Sequence, residues 1–141
     1  MAAQGQLAAA QTALRRAIRL SSQPLVLYMT LARFELASNQ PQQALESLQS
    51  AEQSSPFRHG SENVAPELYS EIAEGRAAAY SRMGRLKDAI EQQQLAVKLT
   101  PAVASRWMRL ADLLESSGQT QAADEAREKA QELSGPAPGH P

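Results

Sequence analysis

The sequence predicts an all-α fold in which antiparallel helix hairpins stack into an α-solenoid. The main observation is a register of small residues, in which a glycine or asparagine is followed by alanines five and twelve positions later. The four copies are Gly5–Ala10–Ala17, Asn39–Ala44–Ala51, Gly84–Ala89–Ala96 and Gly118–Ala123–Ala130. They are offset by 34, 45 and 34 residues, and a period near 34 is typical of helical-hairpin repeats. No stretch alternates apolar and polar residues with period two, so we expect no sheet.

Apolar spacing and proline positions predict seven helices. Apolar residues recurring every three to four positions place them near 6–20, 24–38, 41–54, 66–83, 86–99, 102–117 and 120–133. Proline is tolerated in the first turn of a helix, where its missing N–H costs nothing, and we expect it there at Pro24, Pro41 and Pro101. Serine, threonine or asparagine just before these prolines is expected to cap the helices. The glycines of the register can adopt positive φ, so each is expected to end one helix and begin the turn to the next.

The repeated register resembles that of the tetratricopeptide repeat (TPR) family. The last unit carries large, large, small and large residues in its first helix, then a turn glycine and two small residues in its second: Trp107, Leu110, Ala111, Leu114, Gly118, Ala123 and Ala130. Two earlier units depart from the family pattern. One has Glu35 in place of the usual large residue, and the other has Ala73 and Arg76 in place of two large residues. The resemblance covers residues 5–133, and it implies a right-handed superhelix of about 3.5 hairpins.

The resemblance and the spacing together divide the chain into one repeat domain and a tail. The domain, residues 1–133, is expected to contain a half repeat at 5–21 and full repeats at 25–56, 66–101 and 102–133. The longer offset adds eleven residues in the middle of the chain, which we assign to an inserted loop at 57–65 together with a lengthened following helix that begins near Pro66. The loop either carries contacts or is simply tolerated. Residues 134–141 are rich in proline and glycine and are expected to be a disordered tail.

The first unit has only its second helix. Leu7, Ala10, Leu14, Ala17 and Ile18 form an apolar stripe at helical spacing, and the side meant for the missing helix has no cover within this chain. We therefore expect a C-terminal piece of a longer array or, if the chain is complete, a homodimer through helix 6–20. The segment is rich in arginine and free of acidic residues, as mitochondrial transit peptides are, but its spacing fits a structural helix better.

Gly75 is unusual because it lies inside a predicted helix. A glycine there costs about 1 kcal/mol relative to alanine. The position therefore predicts a close approach of a ligand or a neighbouring helix, or a kink in the helix.

Composition and residue placement argue against several kinds of chemistry. The net charge of −1 argues against binding nucleic acid through a basic face. The absence of cysteine excludes disulfides, thiolate metal sites and cysteine nucleophiles, and no apolar run approaches the roughly 20 residues that span a bilayer. The two histidines, His59 and His140, lie in the insertion and the tail, away from carboxylates at ligand spacing. We therefore predict no catalytic residue, metal or cofactor, and no enzymatic activity, in this segment.

The resemblance implies a concave groove, lined by the first helices of the hairpins, that holds an extended peptide or a partner helix. Projected onto this chain, the groove residues are Met29, Thr30, Arg33, Glu71, Glu74, Arg82, Met108, Arg109, Asp112 and Glu115. The methionines would offer adaptable apolar contacts, and Arg33 and Arg109 could bind partner carboxylates. TPR co-chaperones clamp an acidic tail with lysine, asparagine and arginine across three first helices, a set that this chain does not complete. Trp107 fits the core position of its hairpin rather than a binding position.

The function that the resemblance implies is a protein–protein interaction module that binds a partner protein or peptide. The main alternative is a C-terminal regulatory or positioning segment of a larger enzyme, such as a glycosyltransferase or a membrane polymerase. A further alternative is self-association through helix 6–20. The sequence does not identify the partner.

Overall fold

The computed structural model describes residues 2–54 and 66–135, which form seven α-helices and no strand. The helices are α1 (Ala2–Leu20), α2 (Leu25–Ala37), α3 (Pro41–Gln53), α4 (Pro66–Arg82), α5 (Leu86–Leu99), α6 (Ala104–Ser116) and α7 (Thr120–Ser134). The predicted all-α fold is confirmed, and every helix end except the start of α1 lies within two residues of its predicted position. The predicted insertion at 57–65 lies outside the described residues.

The last helix extends one residue into the segment that was predicted to be a tail. The Ser134 hydroxyl donates a hydrogen bond to the Ala130 carbonyl, with an O···O distance of 3.0 Å, so the final turn of α7 includes Ser134. Gly135 follows with φ of 77° and ends the helix. The rest of that segment, residues 136–141, lies outside the described residues.

The helices pack against their neighbours in chain order, as a solenoid requires. The most extensive contacts are within three hairpins, α2/α3, α4/α5 and α6/α7. Successive hairpins then meet through α3/α4 and α5/α6, while α1 packs on α2. The apolar core is divided into two clusters, one around Leu48 and Ile72 and the other around Leu110 and Leu114.

The three turns within the hairpins share one geometry. Asn39, Gly84 and Gly118 adopt φ values of 58°, 76° and 84°, the left-handed conformation predicted for these register positions. Each turn is closed by a backbone N–H that bonds a carbonyl five residues back: Gln40 to Glu35, Arg85 to Tyr80 and Gln119 to Leu114. Asparagine serves in the first turn because its short polar side chain tolerates this conformation better than most residues do.

Gly5 differs from the other register glycines, and its predicted role as a turn residue is wrong. It lies inside α1, which begins at Ala2 rather than near residue 6. Its counterparts reverse the chain between two helices that pack together. Gly5 does not adopt the positive φ of Gly84 and Gly118, and the helix continues through it.

The alanines of the register are buried where the two helices of a hairpin meet. Ala44, Ala89 and Ala123 each have 0% of their surface exposed. Small side chains at these positions let the helix axes approach closely, as the spacing predicted. Ala10 occupies the same register position in α1 but is only half-buried, because α1 has no first helix beside it.

The expected side-chain caps at the helix starts are wrong. None of the five N-cap residues identified in the described helices makes a side-chain capping hydrogen bond. Pro41 does occupy the first turn of α3, as predicted, but Pro24 is itself the residue before α2. Pro101 lies in a turn before α6, which begins only at Ala104.

Polar side chains on α1 make its hydrogen-bonded contacts with α2. Gln11 is the one fully buried residue among those described in α1. Its amide nitrogen donates to the Ser38 hydroxyl at 2.9 Å and to the Phe34 carbonyl at 3.4 Å. Leu14 and Ile18, from the predicted stripe, are half-buried. The helix therefore adds no fully buried apolar side chain to the core.

Glu35 is buried beneath α1. It is the acidic residue that stands where the tetratricopeptide pattern usually has a large side chain. Its carboxylate accepts a hydrogen bond from the Ser47 hydroxyl on α3 and pairs with Arg15 on α1 at an N···O distance of 3.5 Å. Burial raises the pKa of Glu35, while the Ser47 hydrogen bond and the Arg15 charge oppose that shift. Arg15 and Ser47 thus compensate a buried charge at the place where three helices meet.

Candidate functional site

A groove runs across the first helices of the three hairpins, and we call it the α2–α4–α6 groove. Its volume is about 350 Å³. The residues that line it come from α2, α4 and α6, with one contribution from α3: Met29, Ala32, Arg33, Leu36, Leu48, Glu71, Glu74, Gly75, Ala78, Arg106 and Arg109. The first helices therefore line a common groove, as the resemblance implied.

Gly75 allows a side chain from a second helix to reach the groove. A Cβ atom at position 75 would lie 2.9 Å from Leu48 Cδ1 and 3.1 Å from Leu48 Cδ2, too close for either methyl group to stay in place. The close approach predicted for Gly75 is thus made by the neighbouring helix α3. Leu48 passes over the bare backbone of α4 and forms part of the apolar floor of the groove.

One wall of the groove is a polar network centred on Arg106 of α6. Only 5% of the Arg106 surface is exposed. Its two terminal nitrogens bond both carboxylate oxygens of Glu67 on α4, at 2.7 and 3.0 Å, and Nε donates to Glu74 Oε1 at 2.8 Å. Nη1 also donates to Thr100 Oγ1 at 2.7 Å. The hydrogen bonds that Arg106 donates to Glu67 and Glu74 raise the pKa of Arg106, and accepting the bond from Arg106 lowers the pKa of Glu67.

Glu74 connects this network to the open side of the groove. Its carboxylate accepts hydrogen bonds from Arg106, from Arg109 Nη1 at 2.7 Å and from Gln93 Nε2 at 3.3 Å. Gln93 also donates to the Arg106 carbonyl at 3.0 Å. Three helices, α4, α5 and α6, are therefore joined at one carboxylate, which makes this wall a preformed surface.

Two charged residues of the groove have no ion pair in the described parts of the chain. Arg33 on α2 and Glu71 on α4 are both exposed, and neither lies within 4.0 Å of an opposite charge among residues 2–54 and 66–135. The other three charges, Glu74, Arg106 and Arg109, satisfy one another. The groove thus presents one available cation and one available anion beside an apolar floor.

The structure brings together five of the ten residues predicted to line the groove: Met29, Arg33, Glu71, Glu74 and Arg109. Two of the five have little freedom to contact a partner as predicted. Met29 belongs to the core, with only 7% of its surface exposed. Glu74 is engaged with the two arginines. Arg109 keeps 65% of its side chain exposed on the rim, while its guanidinium pairs with Glu74.

The other five predicted residues do not line the groove: Thr30, Arg82, Met108, Asp112 and Glu115. Thr30 donates its hydroxyl to the Val26 carbonyl within α2. Arg82 donates to the Leu36 carbonyl at 2.7 Å, where its charge stabilises the C-terminal end of α2. Glu115 pairs with Arg127 of the same hairpin. Asp112 and Met108 are exposed on α6, and 41% of the Met108 surface is accessible.

Sequence reasoning missed Arg106, Glu67 and Leu48. A signal for Arg106 was present, because the 34-residue offset aligns it with Ile72, which is buried in α4. An arginine at an apolar register position predicts a buried cation that requires carboxylate partners. No comparable signal identifies Leu48, since its access to the groove depends on Gly75 of another helix.

No group of three histidine, aspartate or glutamate side chains in residues 2–54 and 66–135 could hold a metal ion. Within the same ranges, no helix combines the length and the hydropathy that crossing a bilayer requires.

Comparisons with known proteins agree with the repeat register. The tetratricopeptide repeat family model matches residues 72–103 and 104–135. A crystal structure of MamA superposes with a TM-score of 0.74 at 19% identity, covering 92% of this chain and 69% of that one. MamA from Desulfovibrio magneticus RS-1, from residue 41 to its end, gives a TM-score of 0.76 at 20% identity, covering 94% and 69%. No curated protein sequence matches significantly.

At such low identities the MamA structures establish the fold, while the family model establishes the repeats. Both apply to the region that contains α4 to α7, and the structural likeness extends over nearly the whole chain. Residues 72–135 therefore match two tetratricopeptide repeats, and the described residues share the all-helical repeat fold of the MamA structures.

Proposed function

We propose that this chain binds a segment of a partner protein in the α2–α4–α6 groove. The observation that carries the proposal is the composition of the groove, in which an apolar floor containing Leu48 and Ala78 lies beside the available charges of Arg33 and Glu71. Apolar surface supplies binding energy, and a few polar groups select and orient the ligand. The proposal gives the chain no catalytic step of its own.

Pre-organisation is the physical advantage of this arrangement. The α4 and α6 walls are held together by hydrogen bonds within the chain, from Arg106 to Glu67 and Glu74. A partner segment would therefore lose its own conformational freedom on binding, while the groove would lose little. A rigid groove of this kind converts more of its contact energy into affinity than a mobile surface does.

Filling the groove with a large side chain tests this proposal. Ala78 is exposed on α4 and lines the groove, so Ala78→Trp should obstruct binding without disturbing the core. Gln94→Trp is the matched control, because Gln94 is exposed on α5 and does not line the groove. We expect partner proteins captured from native lysate, measured by quantitative mass spectrometry, to be lost with Ala78→Trp and retained with Gln94→Trp.

Two results would contradict the groove as the binding site. One is a partner set that is unchanged by Ala78→Trp. The other is an equal loss with Gln94→Trp, which would place the interaction on the second helices. Circular dichroism of both variants should show unchanged helix content, since both substitutions are on exposed positions.

Self-association through α1 is a second candidate, and the open face of this helix favours it. A shallow groove of about 580 Å³ lies on the outer side of α1, lined by Ala9, Thr12, Ala13, Arg16, Ala17 and Leu20. Leu20 is 79% exposed. This face differs from the predicted stripe, which shares only Ala17 with it. In the other hairpins the register alanines pack on a first helix, and we propose that α1 of a second copy takes that place here.

Charge substitutions on this open face test self-association. We expect the wild-type protein to show a mass that rises with concentration in sedimentation velocity experiments, and the double variant Ala13→Glu/Leu20→Glu to remain monomeric. Leu95→Glu is the control, because Leu95 is also an exposed apolar residue but lies on α5. A wild-type protein that is monomeric at all concentrations, or an oligomer that survives the double substitution, would exclude this interface.

A further inference from the structure

We propose that the segment bound in the α2–α4–α6 groove carries an apolar side chain between an acidic and a basic residue. This inference rests on the proposed function and specifies the partner chemistry of the same groove. The acidic residue would pair with Arg33 and the basic residue with Glu71, while the apolar side chain would contact Gly75 and Ala78 of α4.

The charges of the groove supply the main argument. Arg106, Arg109 and Glu74 already form hydrogen-bonded ion pairs, so a ligand that covers them finds their charges compensated. Arg33 and Glu71 are exposed and form no ion pair among the described residues. A ligand that excluded solvent from them without supplying opposite charges would leave two desolvated ions, which is unfavourable. A ligand with one carboxylate and one cationic group avoids that loss.

The apolar floor explains the residue between the two charges. Leu48 packs from below against Gly75 and is itself only 2% exposed, so the apolar surface open to the groove at this point is the partly exposed backbone of Gly75 together with Ala78. Ala78 lies about one helical turn after Gly75 on α4, and its small side chain leaves room for a ligand above the floor. An aliphatic or methionine side chain can cover this surface without leaving a polar group unpaired.

The repeat register sets the spacing between the two charges. The 45-residue offset aligns Arg33 of α2 with Ala78 of α4, and the positive-φ turns at Asn39 and Gly84 share this offset. Glu71 precedes Ala78 by seven residues, which is about 10 Å along a helix at 1.5 Å per residue. This distance is only the component along the helix axes, and the separation of about 8–10 Å or more between the α2 and α4 axes adds to it. An extended peptide covers about 10 Å in three residues. We therefore expect the acidic and basic residues of the ligand to be at least three positions apart, with the apolar residue between them.

Selection from a random peptide library, combined with charge reversal, tests this inference. Displayed 12-residue peptides would be selected on the wild-type protein and on Arg33→Glu and Glu71→Lys, two substitutions at exposed positions without ion pairs in the described residues. We expect wild-type selections to be enriched in an acidic and a basic residue at least three positions apart. Arg33→Glu should replace the acidic preference with a basic one, and Glu71→Lys should replace the basic preference with an acidic one.

Affinities of a single selected peptide make the test quantitative. A wild-type peptide should bind Arg33→Glu at least tenfold more weakly, and replacing its acidic residue with lysine should restore binding to that variant. Peptides that require the groove, as shown by loss of binding to Ala78→Trp, but are indifferent to both charge reversals would overturn this inference alone. A library that contains no peptide sensitive to Ala78→Trp would contradict the proposed function itself.

Discussion

Replacing Arg106 with alanine is expected to destabilise the protein by about 3 kcal/mol, the lower end of the range for breaking a buried ion pair. Arg106 is almost fully buried, and it donates hydrogen bonds to Glu67, Glu74 and Thr100. Its removal leaves the Glu74 carboxylate, which is 13% exposed, with fewer donors and opens a cavity between α4 and α6. The loss stays near the lower end because Arg109 and Gln93 continue to bond Glu74.

Arg109→Ala is the matched control for this prediction. Arg109 pairs with the same carboxylate, but its side chain is 65% exposed. Exposed ion pairs contribute about 1 kcal/mol or less, because water screens them and side-chain entropy opposes them. Urea unfolding followed by circular dichroism would measure both variants. An equal loss of stability in the two, or a loss below about 1 kcal/mol for Arg106→Ala, would show that the network does not hold the hairpins together.

Replacing a register alanine with a larger residue is expected to destabilise the protein by a similar amount. We expect this loss of stability where the alanine packs against a first helix, and not in α1. Ala123 has no exposed surface and lies where α7 packs on α6. Leucine at this position would force the two helix axes apart, which should cost about 3 kcal/mol as overpacking. Alanine and leucine have nearly equal helix propensities, so the change in stability would report packing rather than backbone preference.

Ala10→Leu is the corresponding change in α1, at the same register position. Ala10 is only half-buried because no first helix packs against it. We expect this variant to lose less than about 1 kcal/mol, as is usual for substitutions away from a packed core. Thermal and urea unfolding of the two leucine variants would provide the comparison. Similar losses at both positions would mean that α1 is as closely covered as α7, contrary to the structure.

Local signals in the sequence were sufficient to predict the helices and the turns within the hairpins. Asn39, Gly84 and Gly118 were recognised because a helix that must reverse within three residues requires a left-handed conformation, which few residues tolerate. The burial of Ala44, Ala89 and Ala123 followed from the same register, since close helix packing requires small side chains. Gly5 shows the limit of this reasoning: the residue type fits a turn, but a turn also needs a second helix to pack on the first.

The groove was predicted only in outline. The first helices line it as expected, because the register fixes which face of each helix turns towards its neighbours. The individual residues could not be assigned in the same way. Whether Glu74 is available or engaged depends on Arg106 and Arg109, which lie 32 and 35 residues away in the chain.

The sequence by itself thus determined the helical-hairpin architecture, the turn positions and the alanine contacts, all of which depend on spacing within a repeat. Only the tertiary structure decided that Arg106 joins two hairpins, that Leu48 reaches the groove over Gly75, and that Arg33 and Glu71 are its available charges. The physical reason is that periodicity specifies which face of a helix is buried. Hydrogen bonds between distant side chains, and the gap left by a missing Cβ, depend instead on how separate helices meet in space.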